Sequence, residues 1–114
     1  MQTHLPNHII GKAEAIERVG DADIYREIAH VFSKNLANYM AQLDSAMGEK
    51  DYTTVKRLAH SIKSNCATVG ADDLRAFFAS MEQAADENLE AKLTTLLPQA
   101  LTLLSELRQN LASL

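Results

Sequence analysis

The chain has 114 residues, 46% of them hydrophobic, and a formal net charge of −4. That length is one small domain over residues 1–114, able to bury roughly two-thirds of its unfolded surface without disulfide or metal support. The acidic balance excludes a general nucleic-acid binder, which would carry a basic surplus, and no apolar run approaches the roughly 20 residues of a membrane span. Neither nucleic acid nor direct membrane contact is therefore expected. With no signal peptide evident and one cysteine, Cys66, the chain is expected in the reducing cytoplasm, free or tethered to a membrane-bound protein.

In chain order the pattern is helix after helix, without strand alternation. Residues 1–10, with Pro6 and no clear period, read as a leader, poorly ordered or packed as a short extension. A short helix is predicted from Lys12 to Val19, stopping at Gly20. Asp21 is the N-cap of a long second helix, in which Ile24, Ile28, Val31, Phe32, Leu36, Tyr39, Leu43 and Met47 recur at helical spacing as the expected core stripe. Gly48 ends it. Asp51 caps a third helix that closes at Gly70. A fourth carries the stripe Leu74, Phe77, Phe78, Met81 and Ala85 and breaks near Asn88. A leucine-rich fifth is expected from Leu89 to Leu114, with a kink where Pro98 removes a backbone donor and crowds the preceding turn. Four amphipathic helices with short connections predict an all-α, up-and-down antiparallel four-helix bundle, the short first helix being additional.

The third helix holds the most informative residue. At about 100° per residue, Val55, Leu58, Ile62, Cys66 and Val69 gather into one apolar stripe, and His60 lies opposite its centre. Thr53, Lys56, Arg57, Lys63, Ser64 and Ala67 share the histidine's face, so that this helix surrounds it with cations and small side chains and no carboxylate. Imidazole, with an ordinary pKa of about 6.5, is mostly neutral at cellular pH and offers a nitrogen lone pair, which suits a nucleophile receiving an anionic group. Lys63, one turn on, can reach an anion carried on the ring. On the fourth helix Glu82 sits beside the apolar stripe, at the seam with the third, whereas Gln83 points away. Cys66, on the apolar side, reads as a packed thiol.

The order Ala59-His60-Ser61-Ile62-Lys63-Ser64, then Ala67, Gly70, Leu74 and Met81-Glu82, resembles the signature of the histidine phosphotransfer (HPt) domain family. There the pattern is Ala-His-x-Leu-Lys-Gly, a small residue, Gly and Leu, then Leu-Glu; Ser64 departs from the usual glycine. The resemblance implies a phosphorelay module of two-component signalling. His60 would accept a phosphoryl group from an aspartate of a response-regulator receiver domain and pass it to another receiver. Lys63 would stabilise the phosphoryl charge, Glu82 would orient the imidazole, and Gly70 and Leu74 would complete the structural motif. Lys56, Arg57, Ser64, Ala67 and Phe32 are candidate receiver contacts. The implied partners are receiver domains and an upstream hybrid sensor kinase, which this module can also terminate. The module is expected to be monomeric, with no cofactor of its own and Mg²⁺ on the receiver.

Other constellations fail. His4 and His8 are separated by Pro6 and have no further ligands nearby, and His30 has no acidic or thiol companion, so no metal site is expected. The four glycines form no phosphate loop, so no ATP-dependent kinase activity is expected. Nor does His60 stand in the His-Glu-x-x-x-Pro pattern of sensor-kinase dimerisation helices. Two rivals remain: a non-catalytic helical adaptor binding a receiver-like partner through the basic face, and a helical metal or cofactor carrier. The carrier would need inward-facing ligands that the apolar stripes lack.

Overall fold

A computed structural model describes residues 10–114. It contains α1 (Lys12–Val19), α2 (Ala22–Gly48), α3 (Tyr52–Val69), α4 (Asp72–Asp86) and α5 (Glu90–Ala112), with no strand among the described residues. The His4/His8 pair and all of the leader but Ile10 lie outside them; Ile10 packs against the core.

The helix boundaries follow from local chemistry. Asp21 accepts from the backbone N–H groups of Asp23 at 2.8 Å and Ile24 at 3.0 Å, and Asp51 accepts from that of Thr54 at 3.2 Å. Each cap satisfies amides that no helical carbonyl can reach, worth about 1 kcal/mol apiece. Gly20 and Gly70 close α1 and α3 at φ 93° and 84°, a left-handed conformation costly to any residue with a Cβ.

The helices pack around one core, α2 against α3 and α5, α4 against the same two, and α1 across α2 and α3. Val55, Leu58, Ile62, Cys66 and Val69 of α3 and Leu74, Phe78 and Met81 of α4 are buried there, as their spacing predicts.

On α2 the expected stripe is displaced. Ile24 and Val31 are 51% and 53% exposed, and the buried face is Tyr25, Ala29, Phe32, Ser33, Leu36, Leu43 and Ala46. The cause is a helix seated between two neighbours: small residues at Ala29 and Ser33 allow close approach, and polar groups tie the buried face down. Tyr25 donates its hydroxyl to the carbonyl of Val69 at 2.8 Å, and Ser33 donates to the carbonyl of Arg108 at 3.2 Å. A pattern weighted toward large aliphatics misses a face built from a tyrosine, an alanine and a serine. At the other end of the chain, α5 runs through Pro98 as one helix and stops at Ala112, with the proline ring on the exposed side.

Gly70 also makes a close approach. A Cβ there would lie 2.7 Å from the carbonyl oxygen of Gly11 and 3.0 Å from the Cβ of Ala15, whereas one on Gly20 would meet nothing within 4 Å. Gly20→Ala should therefore cost only the backbone strain, about 1 to 2 kcal/mol. Gly70→Ala should cost at least about 1 kcal/mol more, because α1 must shift. Denaturant unfolding of both variants checks this, and equal losses would remove the contact with Gly11 from the account. Burial pushes the Cys66 thiol up to about 12, so the folded protein at pH about 8 should resist thiol reagents that label it readily once unfolded. Stoichiometric labelling of the folded chain would contradict this.

Candidate functional site

α3 turns its apolar stripe inward, which leaves the His60 side chain 60% exposed. On α4 the same logic buries Met81 and brings the next residue, Glu82, to the seam between the two helices, where its side chain is 20% exposed. Glu82 Oε2 lies 3.0 Å from His60 Nδ1, and Glu82 Oε1 accepts from Lys63 Nζ at 2.6 Å. Two side chains three residues apart on α3 thus converge on one carboxylate of α4.

That carboxylate is held below the usual range, first by the hydrogen bond from Lys63 and also by that from His60, against the opposing effect of desolvation. Ionised, it can only accept hydrogen bonds. Nδ1 must therefore be the donor, which puts the proton of a neutral ring on Nδ1 and leaves the lone pair on Nε2. The arrangement is an oriented nucleophile with its reactive nitrogen on the side away from Glu82.

The surroundings correct the purely basic face read from α3. Lys56 Nζ donates to Asp86 Oδ1 at 2.7 Å, so α4 supplies a carboxylate to each of the two lysines. Lys56, Lys63, Ala79, Glu82, Gln83 and Asp86 line a polar cleft of about 410 Å³ between the helices. The face is a pair of ion-paired rungs rather than a cationic patch. Arg57 is exposed on the same helix, and its charge acts on Asp51. Ser64 is exposed and Ala67 half-buried, so both keep side-chain bulk away from the histidine.

Phe32 is the expectation that fails. It is 2% exposed, because it shares the buried face of α2 with Tyr25, Ala29 and Leu36, and so is no surface contact. It instead floors a groove of about 330 Å³ on the α2 side of α3, with Ile24, Ile28 and Val31 as apolar rim and Glu27, Asn35 and Asn65 as polar edge. Three participants escaped the sequence reading. Asp86 had a signal, lying one turn beyond Glu82 on the same face. Exposed Ile24 and Val31 had none, since their spacing fits a core stripe. Arg18, whose guanidinium donates to the carbonyl of Ala67 at 3.1 Å, comes from another helix and could not have been placed.

Gly70 and Leu74 sit at the turn and in the core, at 84° φ and 0% exposure respectively. Among the described residues no group of three or more His, Cys, Asp or Glu side chains is placed to hold a metal ion, and no described helix is long and apolar enough to cross a membrane.

A search of curated proteins and a search of solved structures return no match. The family model described as Hpt domain matches residues 27–113, a span that contains His60, Lys63 and Glu82 with all of α3 and α4. With that match over most of its length, the chain belongs to the Hpt domain family, whose members carry phosphoryl groups on histidine in the phosphorelays of two-component signalling and are not kinases.

Proposed function

We propose that His60 is the phosphoacceptor, taking a phosphoryl group from a receiver-domain aspartate and passing it to the aspartate of another receiver. The observation that carries the reading is the carboxylate of Glu82 on Nδ1, 3.0 Å away, which leaves Nε2 as the nucleophile on a ring that is 60% exposed. In the first step the Nε2 lone pair forms the N–P bond and the P–O bond to the donor aspartate breaks, its electrons leaving on the carboxylate. Little machinery is needed on this side, because phosphoryl transfer rests on alignment and charge stabilisation. The receiver supplies Mg²⁺ and most of the active site.

Glu82 orients the imidazole. Lys63, three residues from His60 on the same face, meets the phosphoryl charge as it arrives by a charge-assisted contact. An up-and-down four-helix arrangement of α2 to α5, with α1 added, holds this face rigid. The docking surface spans both shoulders of α3: Lys56 and Arg57 with the small side chains of Ser64 and Ala67, then the apolar rim of Ile24, Ile28 and Val31 in place of Phe32. The exposed large side chains of that rim are what an apolar helix of a partner would cover. The module acts as a monomer in the cytoplasm, downstream of a hybrid sensor kinase or as its terminal part.

His60→Gln should abolish label uptake from a phosphorylated receiver while leaving helicity and melting temperature close to wild type. Full labelling of that variant would end the proposal, and the label on the wild type should be lost in acid and survive base. Lys63→Ala should slow transfer roughly ten- to a hundredfold, the loss of one charged contact of about 1.5 to 3 kcal/mol. Its Tm should hardly move, because a part-exposed ion pair stabilises by no more than about 1 kcal/mol. Quench-flow transfer beside a melting curve separates the two effects: an unchanged rate would take Lys63 out of the mechanism.

A further inference from the structure

Resting on the reading of His60 as the phosphoacceptor, we infer that Glu82 is a positioning residue that keeps the Nδ1 proton on the phosphorylated ring and so sets how readily the phosphoryl group departs for the next receiver. The argument follows one proton. A ring that enters the first step with its proton on Nδ1 leaves it as a phosphoimidazolium, carrying one positive charge. Onward transfer runs the electrons back: the incoming carboxylate forms a P–O bond, the N–P bond breaks, and its pair returns to Nε2. With the Nδ1 proton in place the departing group is neutral imidazole. Without it the departing group is imidazolate, far more basic and far slower to leave.

Glu82 is built to hold that proton. Its Oε2 stands 3.0 Å from Nδ1, and at 20% exposure its charge is partly shielded from water, so an opposite charge in contact favours the cationic ring. The carboxylate does not take the proton for itself, because Lys63 occupies its other oxygen at 2.6 Å and holds it ionised. Lys63 thereby acts on the ring through Glu82 as well as on the phosphoryl group. A glutamine in this place would accept the same hydrogen bond and offer no charge. The remaining charged groups are more distant or already engaged. Lys56 and Asp86 are paired to each other, the Arg57 charge acts on Asp51, Arg18 of α1 donates to the Ala67 carbonyl, and Glu27 of α2 edges the groove on the other shoulder.

The test compares wild type with Glu82→Gln, each ¹⁵N-labelled and phosphorylated with phosphoramidate, which needs no partner protein. Ring ¹⁵N shifts report Nδ1 protonation directly as the pH rises from about 6 to about 9, and transfer to a receiver domain is timed over the same range. The wild-type ring should keep its proton to higher pH than the variant. At pH about 8 the variant should transfer onward about tenfold more slowly, the difference between a charged and a neutral acceptor, and the gap should close at pH about 6, where both rings hold the proton. Coincident ¹⁵N titrations, or onward rates that coincide across the range, overturn the inference. Should Glu82→Gln not fold, Glu82→Asp keeps the charge and lengthens the contact; its ring should lose the proton at lower pH than wild type, and coincidence with wild type is equally fatal. A wild-type chain that takes no label on His60 instead overturns the phosphotransfer reading, a result distinct from label without a difference in titration.

Discussion

The tight turn at Gly70 governs the register of α3 against α4, and nearly everything at the site depends on that register. Its left-handed backbone lets the chain reverse within two residues, so that the buried stripe of α3 meets that of α4 with no slack. His60 and Glu82 are 22 residues apart in sequence, and Lys56 and Asp86 are 30 apart, one further turn along each helix. Such pairing is available only to helices that run antiparallel from a short connection. A slip of one residue in α4 would rotate Glu82 by about 100° and remove the carboxylate from both His60 and Lys63.

Within that frame the site is polar where it touches α4 and apolar where it touches α2. The contrast arises from the two helices flanking α3. α4 lays Glu82 and Asp86 along its edge, each matched to a lysine. α2 turns Tyr25, Ala29 and Ser33 inward to satisfy buried carbonyls and allow close packing, which displaces Ile24 and Val31 to the surface. An aliphatic residue exposed beside a nucleophile is thus a by-product of where the small and polar residues of the same helix had to go.

Much of this was legible in the sequence. The five helices, the caps at Asp21 and Asp51, the stops at Gly20 and Gly70 and the outward face of His60 all follow from short-range pattern, because turn chemistry and helical period act over a few residues. Glu82 could be placed at the seam by the same period once α3 and α4 were taken as neighbours. What periodicity cannot resolve is which of two adjacent faces a long helix buries when both are apolar, and Phe32 and Ile24 exchange roles for that reason. It is equally blind to charge compensation between helices: Lys56 and Lys63 read as a basic patch until α4 brings its carboxylates alongside.

The contacts of α1 carry a consequence for what counts as the folding unit. The family match begins at residue 27, yet three carbonyls in the last turn of α3 and at its cap are bonded from before that point: Ala67 by Arg18, Val69 by Tyr25 and Gly70 by the backbone N–H of Gly11. A fragment cut at the start of the match would keep every side chain that surrounds His60 and lose all three donors at the end of the helix that presents it. The segment outside the shared family span is, in this chain, a splint for the one turn whose geometry sets the spacing between a histidine and its carboxylate.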